Sequence, residues 1–183
     1  MAETPPARRF QRLRPVADPS AGVETVPNDG MCLSVFLLLG RPDPSGGVLL
    51  GRIDPGQPWG RLGGLTASRV QAIGDRWMLP SSHLVAYESP TEAAARIATE
   101  QLERPGLPLQ GPEVHSETEH RPGRPPEDLH WDLHFLYRGA WPRDLAVVAR
   151  PFRELRFFSP KELGTLEIAR GGGDILRLAG ILP

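Results

Sequence analysis

The chain has 183 residues, a formal net charge of −1 and a pI near 6.5. That length is enough for one domain with a substantial core, and the balanced charge offers no basic face for nucleic acid or an anionic membrane surface. No window approaches the roughly 20 apolar residues of a membrane span, so we expect neither nucleic acid nor a membrane as a partner.

The N-terminal segment, residues 1–29, is rich in Pro, Arg and small polar residues and shows no sustained periodicity. It ends in the turn-like sequence PNDG and lacks the apolar core that a secretory signal needs. We interpret residues 1–29 as a tail or an arm draped over a domain that comprises residues 30–183. We expect a cytoplasmic protein.

Two apolar runs follow, MCLSVFLLLG and VLLGRI, joined by a loop of Pro, Gly and Asp. This pattern predicts a β-hairpin that is buried on at least part of both faces. Cys32, the only cysteine of the chain, lies in the first run. An internal disulfide is therefore excluded, and we expect Cys32 to be a small buried apolar side chain.

Two helices are predicted in the middle of the chain. TASRVQAIG is expected to form one or two turns with Thr66 as the cap, and the segment from Ser89 to about Glu103 carries the clearest helix signals. Ser89 is the N-cap, Pro90 follows at the first helical position, and Glu92 completes a capping box. The apolar positions recur at helical spacing and predict one inward face, formed by Ala94, Ile97, Ala98 and Leu102.

The C-terminal half contains a strongly alternating segment, LHWDLHFLYRG. Its alternation predicts a strand with one apolar face and one polar face. Residues 108–128, just before it, are expected to form a strand end and an exposed loop. The apolar face comprises Leu129, Trp131, Leu133 and Phe135, and the polar face comprises His130, Asp132 and His134.

The last elements are a strand in RELRFFSPKEL, which leads into a helix capped at Ser159, and a short amphipathic helix capped by Asp174. Strands that flank a central helix, without regular βαβ repeats, predict an α+β sandwich.

The stretch WMLPSSHLVAYESPTEAAARIATEQLERPGL, from Trp77 to Leu107, carries the most specific pattern in the chain. It resembles the Nudix box, G-x5-E-x7-R-E-U-x-E-E-x-G-U with U a bulky aliphatic residue, which usually follows W-x-L-P-G. The x5 spacing from Ser82 to Glu88 and the x7 spacing from Glu88 to Arg96 both match the pattern. The likeness extends over residues 31–165. The positions that correspond are Trp77, Leu79, Pro80, Glu88 and Arg96, with Ser82 in place of the box glycine.

Four later positions decide what the resemblance implies for the chemistry. Ile97 and Gln101 stand where the family has glutamates, Glu103 stands at the later glycine, and Glu100 keeps the first of the paired glutamates. The resemblance implies an α/β/α sandwich around a mixed sheet and divalent-cation-dependent hydrolysis of a nucleoside diphosphate linked to another group. One carboxylate is a poor cage for Mg²⁺.

Candidate roles follow from the resemblance and from the polar strand. Catalytic roles are assigned to Glu100, Arg96 and Glu88; metal-ligand roles to Glu100 and Asp132, for weakly bound Mg²⁺ or Mn²⁺; and ligand-binding roles to Ser82, His83, Gln101, His130 and Asp132. Plainer interpretations stay open. Glu92, Arg96 and Glu100 also form an i, i+4, i+8 ladder typical of a solvated helix face, and Glu88 could be a structural acid.

Three functions are compatible with these features. The hypothesis that we favour is a module that binds a nucleotide-like or phosphorylated small molecule, with hydrolysis weak or lost. The alternatives are an active hydrolase whose metal ligands are rebuilt from the His130 and Asp132 strand, and a structural or interaction module. Restoring the acids tests this choice: Gln101→Glu is expected to be mild, Ile97→Glu to destabilise by roughly 1–3 kcal/mol, and the double variant to bind Mg²⁺.

Overall fold

A mixed β-sheet forms the centre of the fold in the computed structural model, which describes residues 12–13, 30–41, 46–120, 129–142, 150–169 and 171–183. The strands are β1 (Arg12–Leu13), β2 (Met31–Gly40), β3 (Val48–Ile53), β4 (Ser81–His83), β5 (Leu109–His120), β6 (Leu129–Ala140) and β7 (Phe152–Phe158). Their order is β5-β6-β2-β3-β7, with β1 and β4 also paired to β2. The β2–β6 pair is parallel and the other pairs are antiparallel.

Helices cover both faces of this sheet. They are α1 (Trp59–Leu62), α2 (Ala67–Ile73), α3 (Pro90–Leu102), α4 (Pro160–Leu163) and α5 (Gly172–Leu178). Alternate residues of β2 belong to two separate cores: Val35, Leu37 and Leu39 pack with α3, whereas Phe36 and Leu38 pack with α4 and α5. The apolar run of β2 is continuous because both of its faces are buried. The predicted α/β/α sandwich with a mixed sheet is confirmed.

Helix α3 matches its sequence signals. Ser89 and Glu92 form the complete capping box, Pro90 occupies the first turn, and the four predicted inward residues are all buried. The helix ends at Glu103 in the left-handed conformation, with φ 54° and ψ 38°. Glycine is favoured in this conformation because it has no Cβ. The left-handed backbone at Glu103 is therefore a physical reason for the glycine that the Nudix-box pattern has at this position.

The predicted hairpin differs from the structure in how its strands pair. Strands β2 and β3 share one register pair, Gly40 with Val48, because β4 occupies the edge of β2 from Ser34 to Phe36. Strand β3 instead pairs along its length with β7. The two strands therefore splay apart, and β4 is inserted between them.

The structure corrects two other expectations and leaves a third untested. The polar segment that was expected to be a strand end forms the 12-residue strand β5, and the rest of that segment, residues 121–128, lies outside the described residues. Asp174 lies inside the first turn of α5, where its carboxylate accepts a hydrogen bond from the backbone N–H of Gly171, the N-cap residue. Of the predicted tail, the structure describes Arg12 and Leu13, which pair with β2, so the division at residue 30 stays a prediction.

Among the described residues, no helix combines the length and the apolar character needed to cross a bilayer.

Candidate functional site

A cavity of about 390 Å³ lies between the sheet, the loop of residues 63–66, α2 and the start of α5. Strand β2 contributes Cys32, Ser34 and Phe36, which alternate with the residues that pack on α3. The cavity is therefore on the face of the sheet opposite α3, and its volume is in the range of small-molecule sites. Its titratable and charged lining residues are Cys32, Arg69, His83, Glu117, His130, Asp132, His134 and Asp174.

Strand register explains why these groups meet. His130, Asp132 and His134 lie on one face of β6 because side chains alternate along a strand. In the parallel pair, Cys32 is the register partner of Asp132, and on the other side of β6 Glu117 is opposite Asp132. Three neighbouring strands thus deliver thiol, imidazole and carboxylate groups to one wall.

The two histidines at positions 130 and 134 on the polar face of β6 are buried. His130 is 1 % exposed and His134 is 4 % exposed, whereas Trp131 and Leu133 on the other face are half-buried. The loop of residues 63–66, α2 and the start of α5 line the same cavity as these imidazoles. The polar residues of β6 therefore line the cavity and do not lie on the outer surface of the protein.

Two of the imidazoles are held neutral. Burial lowers the pKa of His134 below its usual 6.5, although the carboxylates of Asp132 and Glu117 act in the opposite direction. Burial likewise lowers the pKa of His83, whose Nδ1 lies 3.1 Å from Oγ of Ser34. Both side chains therefore offer a nitrogen lone pair at physiological pH.

We expect the metal-free protein to lose stability as the pH falls below about 6.5, the usual histidine pKa. Above that pH both the folded and the unfolded chain hold His83 neutral. Below it the unfolded chain binds the proton first, because Arg69 and His130 add to burial in lowering the folded pKa and Asp132 offsets them only partly. Urea unfolding at pH 7.5 and 5.5 checks this: His83→Gln must reduce the loss between the two pH values, and an unchanged loss would exclude His83 as its source.

Arg96 and Glu88 form a largely buried ion pair beside the cavity and do not line it. The Nε and Nη2 atoms of Arg96 donate to Oε1 and Oε2 of Glu88 at 2.6 and 2.7 Å. Arg96 also donates to Ser82 Oγ and to the carbonyl of His83, and Glu88 accepts from the N–H of Val85. These bonds tie the segment between β4 and α3 to the helix, while Ser82 and His83 themselves reach the cavity.

Gln101 is fully buried, and its amide is committed to the backbone. Its Nε2 donates to the carbonyl oxygens of Leu62 at 3.0 Å and Ser81 at 2.8 Å, and its Oε1 accepts from the N–H of Ser81 at 3.2 Å. The side chain does not line the cavity. The structure therefore places Gln101 in the scaffold instead of the predicted ligand-binding position.

A magnesium cage on α3 does not fit the described residues. Magnesium needs several hard oxygen ligands, but Ile97 is buried and apolar and the oxygen of Gln101 is hydrogen-bonded. Glu100 places its carboxylate 3.9 Å from Arg61, outside the cavity lining. The two predicted metal ligands are not brought together, because Asp132 lines the cavity and Glu100 does not.

The described residues do bring together one group of three metal-ligand side chains, Cys32, His130 and Asp132. Two of them were predicted, but Cys32 had been assigned to the core. The missing information was the strand order, because Cys32 meets Asp132 only through the parallel pairing of β2 with β6. Alternation along β2, which gives Cys32, Ser34 and Phe36 one face, was the available signal.

Solved structures with the same architecture include Nudix proteins. The Nudix hydrolase RenU from M. smegmatis is 20 % identical, with 94 % of this chain and 96 % of that chain covered and a TM-score of 0.55. The NUDIX domain of Shewanella oneidensis NrtR, complexed with ADP ribose, is 14 % identical, with 89 % and 91 % covered and a TM-score of 0.53. A MutT protein from Methanosarcina mazei is 14 % identical, with 85 % and 95 % covered and a TM-score of 0.55.

No family model matches the sequence, and no curated protein matches it. The chain has the Nudix fold, as the resemblance implied.

Proposed function

We propose that this Nudix-fold protein binds a nucleotide-like or phosphorylated small molecule in its cavity and hydrolyses pyrophosphate weakly or not at all. The observation that carries the proposal is the position of Gln101. Pyrophosphate hydrolysis depends on divalent cations that stabilise charge on phosphoryl oxygens. Here a neutral amide nitrogen satisfies two carbonyl oxygens at a position where the family has an acid.

The other two family positions on α3 support the same proposal. Ile97 is packed in the core, so it supplies no oxygen ligand. Glu100 keeps its carboxylate but faces Arg61 and not the cavity. The helix packs on the sheet, but two of the three acids needed for a magnesium cage are absent and the third does not face the cavity.

The cavity supports a binding role. Of the residues predicted to bind a ligand, Ser82, His83, His130 and Asp132 line it. They supply hydroxyl, imidazole and carboxylate groups on a wall built from strands, which holds them in place. Gln101, Glu88 and Arg96 support this wall from outside the cavity. The ADP ribose complex of NrtR, which has the same fold, makes ADP-ribose a reasonable first probe.

Isothermal titration calorimetry with ADP-ribose, diadenosine tetraphosphate and inorganic phosphate tests the proposal, with each probe used in the presence and absence of Mg²⁺. We expect at least one nucleotide probe to bind and His83→Gln to weaken it at least about tenfold, the effect of 1.4 kcal/mol. His115→Gln is the matched control, since His115 is a half-buried histidine that does not line the cavity. Equal losses in both variants, or no binding by any nucleotide tighter than about 1 mM, would contradict the proposal.

One observation favours a second function, an active hydrolase with rebuilt metal ligands. The Cys32, His130 and Asp132 group provides three ligand atoms that α3 does not. That function predicts brisk metal-dependent turnover of a nucleotide, whereas a purely structural module predicts no small-molecule binding.

A further inference from the structure

We infer that Cys32, His130 and Asp132 form a zinc site in the cavity wall, on strands β2 and β6 and separate from α3. The inference concerns the metal alone and does not depend on which small molecule the cavity binds. It assigns a metal-ligand role to Cys32, which the apolar sequence around it had led us to place in the core.

The sheet places these three ligands without any special loop. Cys32 and Asp132 are register partners on adjacent parallel strands, and His130 precedes Asp132 by two residues on the same face. One ligand atom from each residue lies within 4.8 Å of the other two, and His130 Nε2 lies 3.2 Å from Asp132 Oδ1. Tetrahedral zinc separates its ligand atoms by roughly 3.5 Å, given bond lengths of about 2.0–2.3 Å. Small side-chain rotations therefore suffice.

The donor types select zinc over magnesium. Zinc is bound by thiolate, imidazole and carboxylate groups, whereas magnesium requires oxygen ligands in near-octahedral geometry. A thiolate in the set favours a borderline-soft ion such as zinc. Cys32, His130 and Asp132 are therefore unsuited to magnesium but are common types of zinc ligand.

The surroundings add two independent observations. The Nδ1 atom of His134, on the same face of β6, is buried and has no hydrogen-bond partner among the described residues. Apart from the ligand Asp132, the described lining contains two carboxylates, from Glu117 and Asp174, and one guanidinium, from Arg69. Such an excess of negative charge in a cavity stabilises a bound dication.

Three protein ligands leave a fourth zinc position directed at the cavity. Zinc sites with three protein ligands hold water or a substrate atom there. A phosphoryl oxygen could occupy it, which would let an acidic cavity accept a phosphorylated molecule. The zinc site would then anchor the ligand where α3 has no cation.

Cobalt substitution tests the site in the full chain after removal of metal by a chelator. A cobalt–thiolate bond gives a near-ultraviolet charge-transfer absorption, and Cys32 is the only cysteine, so that band can come only from Cys32. We expect the band at one Co²⁺ per chain, its loss on Zn²⁺ addition, and its absence in Cys32→Ser. Zinc affinity, measured by competition with a chromophoric chelator, should fall more than about 100-fold in Cys32→Ser and in His130→Asn, because even second-shell losses reach 10- to 100-fold.

Glu117→Gln is the control, because it removes one carboxylate from the same cavity and lies outside the group of three. It should keep the cobalt–thiolate band and weaken zinc less than about tenfold, and circular dichroism of each metal-free variant confirms that it folds. A wild-type cobalt complex without the band, or Cys32→Ser binding zinc as wild type does, would overturn the inference. Neither result depends on nucleotide binding, so these measurements test the zinc site independently of the proposed function.

Discussion

Glu88→Gln is expected to lower the free energy of unfolding by about 3 kcal/mol or more, because it leaves the Arg96 guanidinium buried without its counter-charge. The two side chains are only 13 % and 10 % exposed, and their two hydrogen bonds are 2.6 and 2.7 Å long. Arg96→Lys should cause a comparable loss, since an ammonium group cannot form the two parallel bonds of a guanidinium. Urea unfolding at pH 7.5 measures both.

A second arginine–glutamate pair in the same chain is the matched control. Arg138 donates to both carboxylate oxygens of Glu113, at 2.6 and 3.1 Å, but these side chains are 37 % and 45 % exposed. Glu113→Gln should therefore lower the free energy of unfolding by less than about 1 kcal/mol. If the two substitutions had equal effects, the buried pair would not be what holds the segment between β4 and α3.

Gln101→Glu is expected to lower the free energy of unfolding of the metal-free protein by about 3 kcal/mol or more. The substitution replaces a donor with an acceptor opposite the carbonyl oxygens of Leu62 and Ser81, and it buries a charge at a fully buried position. From the sequence alone we expected a mild effect; the burial of Gln101 and its hydrogen bonds to Leu62 and Ser81 lead us to expect a larger one. Ile97→Glu, also at a fully buried position, adds a second unpaired acid.

Magnesium should restore part of the stability that Gln101→Glu loses. A cation bound between the introduced carboxylate and the carbonyl oxygens of Leu62 and Ser81 would satisfy all three groups, and a ligand that binds only the folded state raises the unfolding temperature. We expect a Mg²⁺-dependent thermal shift in Gln101→Glu and none in wild type. Glu100→Gln, at the adjacent half-buried position, is the control and should leave stability and the response to Mg²⁺ unchanged. A Gln101→Glu protein as stable as wild type without metal would contradict the assigned role of the amide.

Local signals predicted the elements that depend on neighbouring residues. The capping box of α3 and the inward face of Ala94, Ile97, Ala98 and Leu102 follow from contacts within four residues along the chain, and the structure confirms them. The strands β2, β3 and β6 were predicted for the same reason, since their composition and alternation are local.

Features that depend on strand order could not be read from the sequence. The insertion of β4 between β2 and β3 splays the predicted hairpin, and the parallel β2–β6 pairing brings Cys32 to Asp132. The buried polar face of β6 has the same origin, because a polar strand face is solvated or enclosed according to what packs over it. The hydrogen bonds of Gln101 could not be foreseen either, because their partners, the carbonyl oxygens of Leu62 and Ser81, are distant in sequence.

The turnover of a bound nucleotide by the wild-type protein tests the central claim most directly. The nucleotide that binds in calorimetry is incubated with the protein and millimolar Mg²⁺, and its products are separated and counted over many protein equivalents. We predict binding with few or no turnovers. The reaction needs several carboxylates that bind divalent cations, whereas α3 provides one carboxylate and an amide that is hydrogen-bonded to the backbone. Brisk Mg²⁺-dependent hydrolysis that Glu100→Gln abolishes would contradict the account, since the acid on α3 would then be catalytic.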